Sequence, residues 1–364
     1  MTLIESLKAI VGEVNASEAE LDRIAYGNAK AVVWPSNAEE VHKIVMLARR
    51  AGVPITARGA GVGLRFANDI IVDMSKMNSV ITVANDYVEA EAGVLLDDVN
   101  KLLKGKVFPV QPESAKACSI GGMIAANALG IKAMEFGKTG KWVEEVKMVD
   151  GNGICLTLKG DALRHVVGLR GATGIILSAK LRLSDAVERT AELLKFNTLT
   201  AMQEKLDELK NDADVRNIEF MDEISSSLLG FGMASHLIVD YAGDKGMLKG
   251  AEAKEAWDAR KQLPFVLGQK RYLNAHELQM PLESITRFLN LLRKDEVPCY
   301  GPIGLGVLCP VFRDDSSFAS RTDYVYRQFN AKKRKTSNPE TEKRVLELKA
   351  HYDPKNILSR GKFI

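Results

Sequence analysis

The sequence predicts an α+β protein of more than one domain, and three stretches carry that reading. A strand–helix–strand unit near the start ends in a glycine-rich loop, which leads into another strand at 70–73 rather than into a helix. A hairpin over 144–158, turning at Asp150-Gly151-Asn152-Gly153, precedes a long strand through Leu183. From about 190 to 315 short apolar strands alternate with helices, the pattern of a sheet with helices packed on it.

Size and composition set the bounds. A chain of 364 residues exceeds one typical domain. Its 46% hydrophobic and 27% charged residues are ordinary for a globular protein, and a formal net charge of +3 gives no reason to expect nucleic acid as a partner. The basic run Lys332-Lys333-Arg334-Lys335 reads as a solvated loop. No apolar stretch approaches the ~20 residues that span a bilayer, so no transmembrane segment is expected. The start, Met1-Thr2-Leu3-Ile4-Glu5, lacks the features of a signal peptide, and a cytoplasmic protein is expected. Cys118, Cys155, Cys299 and Cys309 form no C-x-x-C pair, so neither an iron–sulfur cluster nor a structural zinc is suggested.

In chain order, residues 1–30 read as helical, stopping near Tyr26-Gly27-Asn28. A strand over 31–34 follows. Asn37, with Glu40 three residues on, starts a helix whose buried face is Val41, Ile44, Val45 and Ala48, and Gly52 ends it. Strands are expected at 53–56, 70–73, 79–83 and 87–92, with a helix over 95–104. The small-residue segment Ser119 to Gly130 leaves room for a backbone or a flat ring to lie against it, although close helix packing alone would look the same. In the later region strands are expected at 215–221, 235–241 and 299–309, and helices at 199–211, 245–262 and 281–294.

The loop Thr56-Ala57-Arg58-Gly59-Ala60-Gly61-Val62-Gly63-Leu64 has glycines at alternate positions. Glycine permits φ > 0 and close approach, and successive exposed N–H groups form a concave anion site. A Rossmann fingerprint needs a helix opening at the glycines. The strand–loop–strand setting therefore favours a flavin over a nicotinamide dinucleotide.

Three segments in order resemble the FAD domain of the vanillyl-alcohol oxidase superfamily, the PCMH-type fold. They resemble its glycolate oxidase and D-lactate dehydrogenase branch most. Arg58 to Leu64 is similar to the family's arginine–glycine pyrophosphate loop. Ile120 to Gly130 is similar to I-G-G-M-x-A-x-N-A-x-G, and Val167 to Ile175 to V-G-x-x-G-x-x-G-I, with Arg170 where the family has an acidic residue. The closing Asp353-Pro354-Lys355-Asn356-Ile357-Leu358-Ser359-Arg360-Gly361-Lys362 resembles D-P-x-x-I-L-N-P-G-K. The resemblance implies a PCMH-type FAD-binding domain of two α+β subdomains over 1–186, a ferredoxin-like α+β cap over 187–315, and a return to the FAD domain over 316–364. It implies FAD contacts at Arg58, Gly59, Ala60, Gly61, Val62, Gly63, Leu64, Pro112, Ser114, Ser119, Gly121, Gly122, Ala125, Asn127, Gly174 and Ile175. Val62 and Ala117 stand where covalent members carry a linking histidine or cysteine, so a non-covalent flavin is expected.

The resemblance also implies oxidation of a small 2-hydroxy acid beside the flavin, which would accept the hydride. Electrons would pass to an iron–sulfur or second flavoprotein subunit. In this branch H-x-G-D-G-N-L-H and G-E-H-G segments bind a divalent metal that holds the substrate. The matching stretch here is Pro302-Ile303-Gly304-Leu305-Gly306-Val307-Leu308-Cys309-Pro310, without histidine or carboxylate, and G-E-H-G is absent, so no metal is expected. Trp257-Asp258-Ala259-Arg260 resembles the family's W-x-x-R, which gives Arg260 the role of pairing with the substrate carboxylate. An exposed stacked pair on a helix would look the same, and the family's accompanying lysine is Ala275 here. His42, His165, His236, His276 and His351 show no metal-ligand spacing, and any base would come from the cap histidines His236 or His276. Two functions stand side by side: an FAD-dependent 2-hydroxy acid oxidoreductase, and a flavin-binding electron-transfer subunit beside a separate catalytic one. The lost histidines favour the second.

Overall fold

In the computed structural model, which describes residues 2–18, 29–62, 69–187, 189–313, 322–333 and 339–360, the chain divides into two units. The first takes Met1–Ile131, Phe136–Ala186 and Ser337–Ile364, and the second takes Lys132–Glu135 and Val187–Thr336.

Helix α1 (Leu3–Val11) opens at Thr2. The Thr2 hydroxyl accepts from the Glu5 N–H, and the Glu5 carboxylate accepts from the Thr2 N–H in return. The helix expected over 1–30 does not continue. Gly12 takes φ 89°, where a side chain would be strained, and ends it. The chain then extends as β1 (Ala16–Glu18), antiparallel to β2 (Ala31–Val33), and buries Ala16. Residues 19–28 of that expectation lie outside the described residues. Helix α2 (Ala38–Ala51) begins as expected: Asn37 Oδ1 accepts from the Glu40 N–H at 3.0 Å, and Gly52 closes the helix at φ 67°. Val41, Ile44, Val45 and Ala48 are fully buried. Strands β3 (Ile55–Arg58) and β4 (Ile70–Asp73) complete a sheet of order β1-β2-β4-β3, with β4 parallel to both β2 and β3.

A second, antiparallel sheet follows. Its strands are β5 (Val80–Val83), β6 (Tyr87–Glu91) and, after α3 (Leu96–Leu102), β7 (Lys106–Val107), α4 (Ile120–Ala126) and α5 (Ala133–Phe136), the hairpin β8 (Val143–Asp150) and β9 (Cys155–Lys159), then β10 (Gly174–Arg182). The order is β5-β6-β10-β8-β9, and a short β11 (Ser184–Asp185) pairs with β7. The first half of strand β10 has no polar face. Ile175 and Leu177 enter the core shared with the first sheet, and Ile176 and Ala179 enter the core beneath α4. A strand buried on both sides reads as a continuous apolar run, as Gly174-Ile-Ile-Leu does.

The second unit is built on a large sheet. Its elements are β12 (Thr190–Phe196), α6 (Leu199–Lys210), β13 (Val215–Met221), α7 (Glu223–Leu228), β14 (Ser235–Tyr241), α8 (Gly250–Gln269), β15 (Tyr272–Ala275), β16 (Leu278–Gln279), α9 (Leu282–Lys294), β17 (Cys299–Gly301), β18 (Val307–Arg313), α10 (Thr322–Gln328) and β19 (Lys332–Lys333). The order is β12-β14-β13-β17-β18-β16-β19, with β15 also on β18. One sheet face, including Ile218, Phe220, Leu237 and Val239, packs with Met202 and Leu206 of α6 and Ile285 and Phe288 of α9. The single strand expected at 299–309 is instead a β17–β18 hairpin. Gly301 at φ 141° and Gly306 at φ 67° turn the chain back around a short helical turn, Ile303–Leu305. Helix α8 begins later than expected and runs past 262 to Gln269. Lys332 and Lys333, expected in a loop, pair with β16, while Arg334 and Lys335 lie outside the described residues. The chain then returns to the first unit as α11 (Pro339–Tyr352).

Candidate functional site

In the first unit the structure brings three separate glycine segments together. Strand β3 delivers Arg58 at its end, and the Arg58 side chain turns inward, its Nε donating to Asp73 Oδ2 at 2.6 Å. What the loop offers beyond is therefore backbone at Gly59, Ala60, Gly61 and Val62, with Gly61 at φ +79°. Gly63 and Leu64 lie outside the described residues. Gly59 rests on Ser119, since a Cβ there would lie 2.1 Å from Ser119 Oγ. Ser119 caps α4, its hydroxyl accepting from the Gly122 N–H at 3.3 Å. Gly121 packs on β6's continuation, donating to Ala92 O at 2.8 Å, and an added Cβ would meet the Ala92 Cβ at 2.7 Å.

The third segment reaches the far end of the same helix. The Gly168 N–H donates to Ile124 O at 3.0 Å, and the Arg170 N–H donates to Ala125 O at 2.8 Å. Asn127 ends α4 in the left-handed region at φ 46°, and its Oδ1 accepts from the Gly140 N–H at 2.9 Å. Pro112 and Ser114 start successive turns toward Cys118, their carbonyls accepting from Ala115 and Ala117. Burial pushes the Cys118 thiol up to about 11, which leaves it unreactive. Gly174 opens β10 against Val149 O, and the Ile175 side chain lies in the core. A cleft of about 240 Å³ beside the loop is lined by Ala60, Ser75, Asn78, Gly93, Val94, Leu95 and Asp98. Backbone N–H groups held by glycines against a small-residue helix, with an adjoining cleft, suit a dinucleotide carrying a pyrophosphate and a flat ring.

In the second unit the sheet face opposite its apolar core mixes buried apolar residues such as Met221, Ile238 and Val311 with polar ones. Asn217 and Glu219 of β13, Asp240 of β14, Tyr300 of β17 and Cys309 of β18 alternate with the core residues of their strands. Asp240 Oδ1 accepts from Trp257 Nε1 at 2.6 Å, and its Oδ2 lies 3.2 Å from Lys132 Nζ. Arg260, 1% exposed, donates from Nε to Glu219 Oε1 at 2.9 Å, and its Nη2 donates to the same oxygen. The guanidinium also sits 4.3 Å from the Tyr300 ring centre. Trp257 and Arg260 are therefore not an exposed pair. The carboxylate on Arg260 is the chain's own Glu219.

Glu219, Asp240 and Lys132 did not emerge from the sequence. Charged residues alternating with apolar ones in a strand read as a solvated face, and only the unmatched arginine of W-x-x-R signalled that an acid partner was needed. The segment 302–309 is a tight turn and strand, with Ile303 and Leu308 in the core. Among the described residues no group of three or more His, Cys, Asp or Glu side chains is placed to hold a metal. The buried His236 ring, at Nδ1, lies 3.0 Å from both Ser226 Oγ and Ala234 O, and burial lowers its pKa. His276 Nδ1 lies 2.7 Å from the Tyr326 hydroxyl. Asp222, at the start of α7, accepts from the Ser225 and Cys299 N–H groups, yet burial outweighs these bonds and pushes its carboxyl up to about 7.

Residues 29–159 match the family described as FAD binding domain. Over 176 residues the chain is 32% identical to a D-2-hydroxyglutarate dehydrogenase of Xanthomonas citri pv. viticola, covering 43% of this chain and 37% of that protein. Over 248 residues it is 25% identical to the glycolate oxidase subunit GlcD of Bacillus subtilis, covering 60% of this chain and 53% of that protein. The chain thus spans about half or less of the length of these curated relatives. Its fold matches a solved alkyldihydroxyacetonephosphate synthase with a TM-score of 0.71 at 16% identity, over 97% of this chain and 83% of that one. No helix among the described residues is long and apolar enough to cross a membrane. The convergence of the three glycine segments and the family match lead to one assignment: residues 29–159 form an FAD binding domain, within a chain whose fold is shared with that synthase.

Proposed function

We propose that this chain is an FAD-dependent oxidoreductase acting on a small 2-hydroxy acid, with a non-covalent flavin. The observation that carries the proposal is the meeting of Gly59 with Ser119 and of Gly168 and Arg170 with Ile124 and Ala125. When bound, FAD supplies a two-electron acceptor for oxidation of an alcohol carbon. The loop from Arg58 to Leu64 would hold the pyrophosphate through its N–H groups, and Ser119, Gly121, Gly122, Ala125 and Asn127 would form the surface beneath the rest of the cofactor, with Pro112, Ser114, Gly174 and Ile175 bordering it. The second unit would hold the acid on the sheet face around Arg260. A cytoplasmic setting, with an iron–sulfur or second flavoprotein subunit taking the electrons, is part of this reading, and it accords with four free cysteines.

A second reading, a flavin-binding electron-transfer subunit without its own oxidation site, is favoured by one observation: Glu219 already pairs with Arg260. Anaerobic absorbance during addition of D-lactate, glycolate and D-2-hydroxyglutarate separates the two. Bleaching of the flavin band by one of these acids is the expected result. A yellow protein that dithionite reduces but no acid bleaches would replace the first reading with the second. A colourless protein with no extractable FAD would refute both.

A further inference from the structure

At the loop end of the first sheet one carboxylate divides its two oxygens between two walls of the cleft. Strands β3 and β4 run parallel and finish together, with Arg58 opposite Asp73 at their C-terminal ends. Ligands of parallel sheets lie beyond that end. Asp73 Oδ2 accepts from Arg58 Nε at 2.6 Å, at the residue from which the glycine loop starts. Its Oδ1 accepts from the Ser75 N–H at 2.8 Å and caps the helical turn Met74–Lys76. Ala60, two residues beyond Arg58, and Ser75 both line the cleft of about 240 Å³. The turn has little freedom elsewhere, since a Cβ on Gly93, which also lines the cleft, would lie 2.0 Å from Met74 O.

The Arg58 and Asp73 side chains are 4% and 8% exposed. A buried ion pair is weak evidence for stability, because apolar side chains of similar volume often serve as well or better. A pair kept at this place is better explained by the geometry it imposes. Strand β4 supplies a fixed reference: Ile70, Ile71 and Val72 are 0% exposed, and the strand is flanked by β2 and β3. Strand β3 ends the strand order, and the C-terminal segment braces it at Ile55, three residues before its tip. The tip itself is held by Asp73.

We infer that Asp73 is a positioning residue for the flavin, whose carboxylate holds the start of the glycine loop and the Ser75 turn in one fixed relation, so that both walls meet the cofactor together. It acts through Arg58 and Ser75 and needs no contact of its own with the cofactor. This deepens the FAD reading and rests on it.

The test uses the full chain, with bound FAD and after its removal. Asp73→Asn keeps an acceptor for Ser75 and loses the charge facing Arg58. The double variant, Arg58→Met with Asp73→Leu, replaces the pair by apolar side chains. Each is read by the Tm of the flavin-free chain and by the Kd for added FAD, taken from flavin fluorescence in the cold, far below the unfolding transition. There a loss of global stability alone leaves Kd unmoved, because the unfolded fraction is negligible. Asp73→Asn should lower the Tm and weaken FAD binding about 10- to 100-fold, the worth of a hydrogen bond to a charged group. The double variant should regain most of the Tm yet keep the weakened Kd, since nothing then ties the loop to the turn. A parent-like Kd in either variant would overturn the inference by showing that the pair serves stability alone. Failure of both variants to fold would overturn it too, because the pair would then hold the fold rather than the site. A parent chain that takes up no FAD would remove the FAD reading itself, and the inference with it.

Discussion

Glu219→Gln is the most informative single change in the second unit. It keeps the side chain's shape and deletes the charge facing the Arg260 guanidinium, at a place where both groups are 1% exposed. Losing one partner of a buried ion pair costs roughly 3–5 kcal/mol, because the remaining charge keeps its desolvation penalty. Stacking of the guanidinium on Tyr300, at 4.3 Å, persists and keeps the loss near the lower end. The second unit holds about 150 residues. At about 2.1 cal/mol/K of unfolding entropy per residue, a loss of roughly 3–4 kcal/mol lowers its transition by about 10–12 °C. Scanning calorimetry of the second unit's transition measures this directly. The companion variant Glu219→Ala opens space beside the guanidinium, and formate should then restore part of the lost Tm by occupying it. A Glu219→Gln transition within about 1–2 °C of the parent chain, together with no response of Glu219→Ala to formate, would refute the claim that the pair is a fixed, buried element.

Two further perturbations address the first unit and the pH response. Gly59→Ala places a methyl 2.1 Å from Ser119 Oγ and should abolish FAD retention through gel filtration, while Gly59→Ala with Ser119→Gly should regain much of it; full retention in the single variant would show that the loop and α4 do not meet. Asp222 has a folded pKa of about 7 against 3.8 for an ordinary aspartate, so its contribution to stability is complete below about pH 4 and is lost as pH rises through 7. The Tm advantage of the parent chain over Asp222→Asn should therefore shrink from pH 4.5 to 8, and a gap constant across that range would show that Asp222 is not held in this way.

Much of this organisation was legible because it is local. Asn37 and Glu40 mark the start of α2, and Gly52 marks its end, within one stretch of sequence. The glycine segments announced themselves by composition, although their meeting did not, because Gly59 and Ser119 are brought together only by tertiary structure. The failures share a physical cause. Strand β1 is three residues long and exists because Ala16 to Glu18 pair with Val33 to Ala31, a long-range event that leaves no periodic signature. Strand β12, Thr190 to Phe196, sits at the edge of its sheet and is defined by its ladder to β14. Arg260 was recognised from its neighbour Trp257, but its actual partner is 41 positions away on another element. Pairing across that distance is invisible to any window of local pattern.

The C-terminal segment bears on the order in which the molecule can be made. Lys349 Nζ donates to Asp353 Oδ2 at 2.8 Å and Leu358 O at 2.6 Å, and Asp353 in turn accepts from the Ile357 and Leu358 N–H groups. The segment so fixed lies along β3, where the Ile55 N–H donates to Ile357 O at 2.7 Å and the Ser359 N–H to Ile55 O at 2.8 Å. The sheet edge that launches the glycine loop is thus completed by residues translated roughly 300 positions later. The whole second unit is translated in between. At about 5–20 residues per second, its ~150 residues alone impose a delay of roughly 8–30 s. During that interval β3 presents an unpaired edge, and the second unit is free to fold first, as an insertion within an unfinished host. A chain truncated near residue 336 and released from the ribosome should therefore expose the β3 edge while its second unit is already folded.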